Sequence, residues 1–191
     1  MIRLLLIGPP GAGKGTQAAE LSRSYGVPAI STGDIFRANV NGGTPLGLQA
    51  KAYMSRGEYV PDSLTNDLVR DRLAQPDAQE GFVLDGYPRT IEQVRELDRM
   101  LASAGAKLDA VVLLRADADE VVSRLRGRAA EQGRADDTEE VIRHRLGLYE
   151  EQTAPLIDVY ADRGLVVDVD GIGTVSEVAE RIRAGLTART Q

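Results

Sequence analysis

Cysteine and tryptophan are both absent from this chain of 191 residues, and aromatic residues make up only 4% of it. Without cysteine, disulfide bonds and thiolate-ligated metal sites are excluded. No apolar run approaches the length of a membrane-spanning helix, and the N-terminus lacks a positively charged region followed by a cleavable apolar segment. We therefore expect a cytoplasmic protein that does not bind to a membrane.

Positive charge is also scarce, since 29 acidic residues outnumber 23 lysines and arginines and the formal net charge is −6. This balance argues against a binder of nucleic acids, and the interleaved aromatic and basic residues that single-strand binding needs are missing. The one histidine, His144, has no acidic, serine or cysteine partner at motif spacing, so we interpret it as structural or surface. Zinc-binding, nucleophile-elbow and paired-carboxylate patterns are absent as well.

One glycine-rich segment follows the apolar residues 2–7 and reads Gly8-Pro9-Pro10-Gly11-Ala12-Gly13-Lys14-Gly15-Thr16. Its spacing is typical of a phosphate-binding loop, in which glycines let backbone N–H groups close around phosphate oxygens and a helix begins with its positive end toward the anion. The ammonium of Lys14 can reach the terminal phosphates. A chance glycine-rich turn is the alternative, but the strand before the loop and the helix after it disfavour that. Gly15 stands where the pattern has Ser or Thr, which argues against metal ligation by a loop hydroxyl.

Short, nearly continuous apolar runs recur along the chain, as expected for parallel strands covered on both faces. The predicted strands are residues 4–7, 27–30, 82–84, 110–114 and 166–169. The predicted helices are residues 14–25, 90–104, 117–128, 138–163 and 176–187. This alternation predicts one α/β domain over residues 1–191, with a doubly wound five-stranded parallel sheet flanked by helices.

Two segments interrupt the alternation of strands and helices. Residues 31–60 contain short helical patterns, a Gly-Gly pair and no strand pattern, and they predict a small helical lobe. The polar residues 129–137 lie between two predicted helices and are interpreted either as a small mobile flap or as an ordinary surface loop.

Asp85 ends the third predicted strand. In phosphate-loop proteins, an acidic residue at the C-terminal end of a second strand holds Mg²⁺, directly or through water. The alternative is an aspartate that caps a turn or a helix. Because Gly15 replaces the usual hydroxyl, we expect Asp85 to hold a heavily hydrated Mg²⁺.

Arginines form the second informative set, because a guanidinium group donates two parallel hydrogen bonds to phosphate and keeps its charge in a dry site. Arg124 and Arg128 are four residues apart and share one helical face. Those in or beside the segments flanking the site are Arg37, Arg89, Arg124, Arg128, Arg134, Arg143 and Arg145. A solvated helix face is the alternative for each of them.

Three ordered motifs together resemble those of nucleoside monophosphate kinases, and most closely the adenylate kinase family. They are the loop 8–16, the segment Ser31-Thr32-Gly33-Asp34 and the segment Asp85-Gly86-Tyr87-Pro88-Arg89-Thr90. The resemblance covers essentially the full chain. It implies a kinase domain with an AMP-binding lobe over residues 31–60 and a short lid over residues 127–137, too short for the β-rich lid of longer members.

The resemblance also implies the site residues. Those expected to bind ATP are Gly11, Ala12, Gly13, Lys14, Gly15, Thr16, Arg124, Arg128 and Gly173. Those expected to bind AMP are Thr32, Arg37, Glu58, Tyr59, Val60, Gly86, Tyr87, Pro88, Arg89, Gln93, Arg134 and Arg145. The catalytic set is Lys14, Arg89, Arg124, Arg128, Arg134 and Arg145. Thr32 and Gln93 favour adenine, since a Gln amide can pair with both N1 and the amino group of that base.

The implied reaction is reversible, Mg²⁺-dependent phosphoryl transfer from ATP to AMP, giving two ADP, in a monomer whose two lobes close to exclude water. Two alternatives remain open. One is a kinase for UMP, CMP or another monophosphate. The other is a regulatory nucleotide switch, in which the motif from Asp85 to Arg89 would have no purpose.

Overall fold

A five-stranded parallel sheet forms the centre of the molecule, whose computed structural model describes residues 1–117, 120–125, 127 and 138–189. The strands are β1 (Arg3–Ile7), β2 (Ala29–Ser31), β3 (Phe82–Asp85), β4 (Ala110–Arg115) and β5 (Val166–Asp170). Their spatial order is β2-β3-β1-β4-β5, with every pairing parallel, so β1 is central. The predicted α/β fold with a five-stranded parallel sheet is confirmed.

Helices cover the sheet and connect its strands. They are α1 (Lys14–Tyr25), α2 (Thr32–Asn41), α3 (Pro45–Met54), α4 (Asp62–Leu73), α5 (Pro76–Gln79), α6 (Ile91–Ser103), α7 (Glu139–Leu148), α8 (Leu156–Asp162) and α9 (Val175–Ala188). Residues 120–125 are also helical, and a π-helical turn spans Tyr149–Thr153. Among the helices described, none is both long enough and apolar enough to cross a membrane.

Alternate residues of the central strands enter two separate cores, as the two-residue period of a strand dictates. On one face, Leu5 and Ile7 pack in a core that includes Leu97 of α6. On the other face, Leu4 and Leu6 pack in a core to which α1 and α9 contribute buried residues. Both faces of the sheet are therefore covered, which explains why its strands read as continuous apolar runs.

Most predicted boundaries lie within one residue of those observed, and proline accounts for the two larger differences. The second strand was expected over residues 27–30, but β2 begins at Ala29. Val27 still hydrogen-bonds to Ser22 at the end of α1, and Pro28 has no N–H to donate to a neighbouring strand. The single helix expected over residues 138–163 is divided, because α7 passes into the π-helical turn and α8 begins only after Pro155.

The structure describes the predicted AMP-binding lobe, residues 31–60, but describes little of the predicted lid. Within residues 31–60, helices α2 and α3 share a small core of Phe36, Ala50 and Val60. Helices α4 and α5 follow where no element was predicted, and α4 buries only Thr65 and Val69, so its apolar pattern is weak. Apart from Gly127, the predicted lid over residues 127–137 lies outside the described residues, as do Arg128 and Arg134.

The central strand offers a matched test of this core. Replacing Leu5 by Ala removes a fully buried side chain from β1, and we expect the free energy of unfolding to fall by about 2–5 kcal/mol. Urea denaturation measures the change. Leu48→Ala is the control, because Leu48 is 67% exposed and its loss should change stability by less than about 0.5 kcal/mol. Equal losses in the two variants would contradict the assignment of the core.

Candidate active site

The loop between β1 and α1 has the geometry of an anion-binding loop. Gly11 and Gly13 have φ values of 83° and 92°, which residues with side chains rarely adopt. A Cβ atom at Gly8 would lie 2.6 Å from the carbonyl oxygen of Leu114, so the loop must also pass close to β4. The first turn of α1 contains no acidic residue, so the positive end of that helix dipole is not neutralised by a carboxylate of its own.

Lys14 is held against the beginning of the same loop. Its Nζ atom donates hydrogen bonds to the carbonyl oxygens of Gly8 and Pro9, at 2.9 Å and 3.0 Å. The ammonium group therefore lies within the curve of the loop, at the start of α1. A phosphate bound at the helix N-terminus would meet this charge together with the backbone N–H groups.

Asp85 faces the phosphate loop from the end of the neighbouring strand. In the sheet it is paired with Leu6 of β1, one residue before β1 ends. A Cβ atom at Gly15 would lie 3.7 Å from Asp85 Oδ2, so the carboxylate points toward the first turn of α1. Within the part of the chain that the structure describes, no ion pair or side-chain hydrogen bond engages this carboxylate.

The residues around Asp85 fit a magnesium ion that keeps most of its water. No group of three or more His, Cys, Asp or Glu side chains among the described residues could hold a metal on its own. Mg²⁺ is often bound by one or two carboxylates together with waters and substrate phosphates, and Asp85 supplies one such carboxylate. The position of Gly15 beside it leaves room for water where a hydroxyl would otherwise stand.

A second constellation begins directly after Asp85. The carbonyl oxygen of Gly86 accepts hydrogen bonds from Thr32 Oγ1 at 3.0 Å and from Arg89 Nε at 2.8 Å. Gly86 has φ 82°, and a Cβ atom there would lie 2.6 Å from Thr32 Oγ1. Only glycine can bring the two side chains this close to its carbonyl, so Gly86 sets the distance between α2 and the Arg89 guanidinium group.

Arg89 is held on two further sides, by Tyr59 and by Thr153, and no sequence pattern pointed to Thr153. Its guanidinium carbon lies 5.1 Å from the ring centroid of Tyr59, a cation–π distance. Thr153 Oγ1 donates a 2.9 Å hydrogen bond to the Arg89 carbonyl oxygen and lies 2.8 Å from the Tyr59 hydroxyl. Because the one Thr153 proton goes to Arg89, Tyr59 is the donor in the second bond.

The larger of two connected cavities, about 460 Å³ in volume, extends from the phosphate loop to Arg89. It is lined among others by Lys14, Thr16, Arg37, Asp85, Arg124 and Arg145. A smaller pocket of about 70 Å³ adjoins it, and its lining includes Thr32, Arg37, Glu58, Val60, Gln93 and Arg145. Gly86 and Arg89 line both, so the two spaces meet at these residues.

Comparison with known proteins agrees with this geometry. The family model for adenylate kinase matches residues 6–165. An adenylate kinase of Kocuria rhizophila is 64% identical over 97% of this chain and 99% of its own length. An adenylate kinase of Leifsonia xyli is 61% identical over 97% of this chain and 94% of its own, and one of Thermobifida fusca is 55% identical over 98% and 100%.

The chain belongs to the adenylate kinase family. The resemblance inferred from the three sequence motifs is thereby confirmed. The residue roles that it implies remain predictions.

Arg124 lines the larger cavity beside the phosphate loop. Arg124 Nε donates to Glu120 Oε1 at 2.7 Å, and both its terminal nitrogens lie 3.3 Å from the carbonyl oxygen of Gly171. This places the guanidinium group beside the phosphate loop, since a Cβ atom at Gly13 would lie 3.8 Å from Arg124 Nη1. Gly173 is exposed two residues after Gly171, and its contact with a nucleotide stays a prediction.

The remaining predicted residues divide between the pocket wall and the surface. Tyr59, Tyr87 and Pro88 line a neighbouring pocket that also includes Lys14 and Arg89. By contrast, Arg143 is exposed and forms an ion pair with Glu139, and His144 is exposed as well. These two positions agree with the solvated and surface interpretations.

Two buried tyrosines next to the site, Tyr87 and Tyr149, are neutral groups. Burial raises the pKa of Tyr149 to about 12, and burial raises the pKa of Tyr87 as well. The Tyr87 hydroxyl donates to Asn66 Oδ1 at 2.7 Å and lies 3.2 Å from the carbonyl oxygen of Gln93. At neutral pH both phenols therefore keep their protons, and Tyr87 acts as a structural donor rather than as an acid or base.

The close contacts of Gly86 can be tested by substitution, with Gly105 as a control glycine. We expect Gly86→Ala to weaken AMP binding at least about tenfold, because the new Cβ atom would displace Thr32 and Arg89. Calorimetric titration with AMP measures the change. Gly105→Ala is the control, since Gly105 also has a positive φ, of 61°, but nothing within 4 Å of its Cβ position. Gly105→Ala should lose about 1 kcal/mol of stability through backbone strain, and Gly86→Ala should lose more because its Cβ atom also displaces neighbours. Equal AMP affinity in both variants would contradict the assignment.

Proposed function

We propose that the chain catalyses reversible, Mg²⁺-dependent phosphoryl transfer from ATP to AMP, which yields two ADP. The observation that carries this proposal is that Gly86, Arg89 and Arg145 line both the cavity of the phosphate loop and the adjoining pocket. Cationic side chains that face two connected spaces suit two phosphate groups that must meet. The names of the relatives, all adenylate kinases, support the same reaction.

On the donor side, the phosphate loop and Lys14 bind the β- and γ-phosphates of ATP. The loop residues in this role are Gly11, Ala12, Gly13, Lys14, Gly15 and Thr16. Arg124, which contacts the carbonyl oxygen of Gly171, stabilises the charge of the phosphate chain. The adenine lies toward residues 171–173. The roles of Arg128 and Arg134 in this step remain predictions from the sequence.

On the acceptor side, the smaller pocket binds AMP. Arg37, Arg89 and Arg145 line it and bind the phosphate, while Thr32, Val60 and Gln93 line it toward the base. Glu58 and Tyr59 belong to the connection between α3 and α4, which closes the pocket from the side of the small lobe. Tyr87 and Pro88 complete the turn between Gly86 and Arg89.

The chemistry requires positioning and charge rather than a base. An oxygen of the AMP phosphate forms a bond to the γ-phosphorus while the bond from that phosphorus to the β–γ bridging oxygen breaks. The attacking phosphate is mostly ionised at neutral pH, since its second pKa is about 6, so no side chain has to remove a proton. Lys14, Arg89, Arg124 and Arg145 hold the reacting groups in line and stabilise the charge on the transferred group.

Asp85 would hold the Mg²⁺ ion through water. The ion, when bound, would supply positive charge that offsets the charge of the phosphates. Asp85 itself orients the hydration shell, and its carboxylate has no competing ion pair among the described residues. We also propose a monomer, because both nucleotide-binding lobes must move freely; the cytoplasmic location stays a prediction from the sequence.

The decisive experiment compares phosphoryl acceptors. With ATP as donor, AMP should be phosphorylated faster than UMP, CMP or GMP, and removal of Mg²⁺ by a chelator should abolish the reaction. A coupled assay for nucleoside diphosphates measures the rates. Equal or faster turnover of UMP would favour a pyrimidine nucleotide kinase. Tight nucleotide binding without transfer to any monophosphate would favour a regulatory switch.

Two variants separate the halves of the site. Arg89→Ala should raise KM for AMP far more than KM for ATP, because Arg89 lines the AMP pocket, and should also lower kcat. Lys14→Ala should lower mainly kcat, by about 10²–10³, because the ammonium acts on the transferred phosphate. Steady-state kinetics with each substrate varied in turn measures both. Equal effects of Arg89→Ala on the two Michaelis constants would contradict the assignment of Arg89 to the AMP pocket.

A further inference from the structure

The amide of Gln93 is fixed from two sides. Gln93 lines the smaller pocket and is only 1% exposed. Its Oε1 atom accepts a 2.7 Å hydrogen bond from the backbone N–H of Arg89. Its Nε2 atom donates a 2.8 Å hydrogen bond to Asp62 Oδ1. These contacts use one acceptor position and one donor proton, and a Gln amide has two of each.

The two partners leave the amide only one orientation. A backbone N–H can only donate, so it requires the amide oxygen, and an ionised carboxylate can only accept, so it requires the amide nitrogen. If the amide turned by 180°, two donors would face each other at Arg89 and two acceptors would face each other at Asp62. Both interactions would be lost in a buried place, where unsatisfied polar groups are costly.

Asp62 is itself held in place for this contact. It is the first residue of α4, and its second oxygen, Oδ2, accepts a 3.0 Å hydrogen bond from Thr90 Oγ1. Thr90 is the N-cap of α6, and its hydroxyl oxygen accepts from the backbone N–H of Gln93. Asp62 is not among the described residues that line the smaller pocket, so it acts from behind Gln93.

An amide held in one orientation can distinguish purine bases by the hydrogen-bonding groups at their C6 and N1 positions. Adenine presents an amino donor beside the N1 acceptor, which match the free lone pair of Oε1 and the free proton of Nε2. Hypoxanthine and guanine present a carbonyl oxygen beside an N1–H donor at the same two places. With the amide held, oxygen would face oxygen and donor would face donor, so a 6-oxopurine can pair only if the amide turns.

We propose that Asp62 is a positioning residue that fixes the orientation of the Gln93 amide and so makes the acceptor pocket select 6-aminopurine over 6-oxopurine monophosphates. The inference rests on the proposed function, because it takes the smaller pocket as the AMP site. Without Asp62, only the Arg89 N–H opposes rotation of the amide, and the preference for adenine weakens.

The test uses IMP, which differs from AMP only on the edge that Gln93 would read. In Asp62→Ala, the ratio of kcat/KM for AMP to that for IMP should fall at least about tenfold, the effect of one buried charged hydrogen bond. The fall should come mainly from KM, with kcat at saturating AMP within about threefold of wild type. If the alanine variant does not fold, Asp62→Leu serves, because it fills a similar volume without an acceptor.

Two further variants separate positioning from general stabilisation. Asp62→Asn should keep the ratio within about threefold of wild type, since its oxygen can accept from Gln93 Nε2 while its amide donates to Thr90 Oγ1. Asp98→Ala is the matched control on α6, because it removes a carboxylate that binds Arg163 at 2.9 Å, away from the pocket. It should lower stability without changing the AMP to IMP ratio.

The outcomes separate this inference from the proposed function. An AMP to IMP ratio in Asp62→Ala within about twofold of wild type, or KM values for both nucleotides raised equally, would overturn the role of Asp62. A wild-type enzyme that does not phosphorylate AMP would instead contradict the proposed function. Calorimetric titration of each variant with AMP and with IMP would still test the amide, because it measures base selectivity without turnover.

Discussion

Hydrogen bonding between β1 and β3 holds the two sides of the site at a fixed separation. Leu6 lies beside Asp85 in that pairing, so the chain leaves both strands at the same edge of the sheet. From β1 it enters the phosphate loop, and from β3 it enters the turn that contains Gly86 and Arg89. A slip of one residue would turn every side chain of the strand to the opposite face. The two apolar cores therefore fix the register, and the register fixes the separation of the proposed donor and acceptor sites.

Positive charge is concentrated at this edge of the sheet, although the chain as a whole is acidic. The protein carries a net charge of −6, yet the cavity at the C-terminal ends of β1 and β3 is lined by Lys14 and by four arginines, Arg37, Arg89, Arg124 and Arg145. A cleft with low-dielectric walls and one sign of charge focuses its field on an anionic substrate. The acidic surface elsewhere keeps this cleft distinct from the surroundings, so anions are attracted to one place rather than to the molecule in general.

Much of this arrangement could be predicted from the sequence, because its signals are local. The spacing from Gly8 to Lys14 identified the phosphate loop, and the apolar runs identified all five strands to within two residues. Helix α4 was missed because a helix that buries mainly Thr65 and Val69 has little apolar periodicity. The contacts of Arg89 with Thr153 and of Gln93 with Asp62 were missed for another reason. They join residues 64 and 31 positions apart, and no local pattern encodes such pairings.

The contact of Tyr59 and Thr153 with Arg89 has a consequence for how the sequence can vary. Tyr59 comes from the connection after α3, and Thr153 comes from the end of the π-helical turn that follows α7. The phenol donates to a hydroxyl whose own proton is already given to the backbone of Arg89. Loss of the Thr153 hydroxyl leaves the Tyr59 phenol without this acceptor, and loss of the phenol removes one of the two hydrogen bonds of Thr153, so the two positions are energetically coupled. Residues 59 and 153 should therefore covary among related chains, and a substitution at one should be tolerated best in a background already changed at the other.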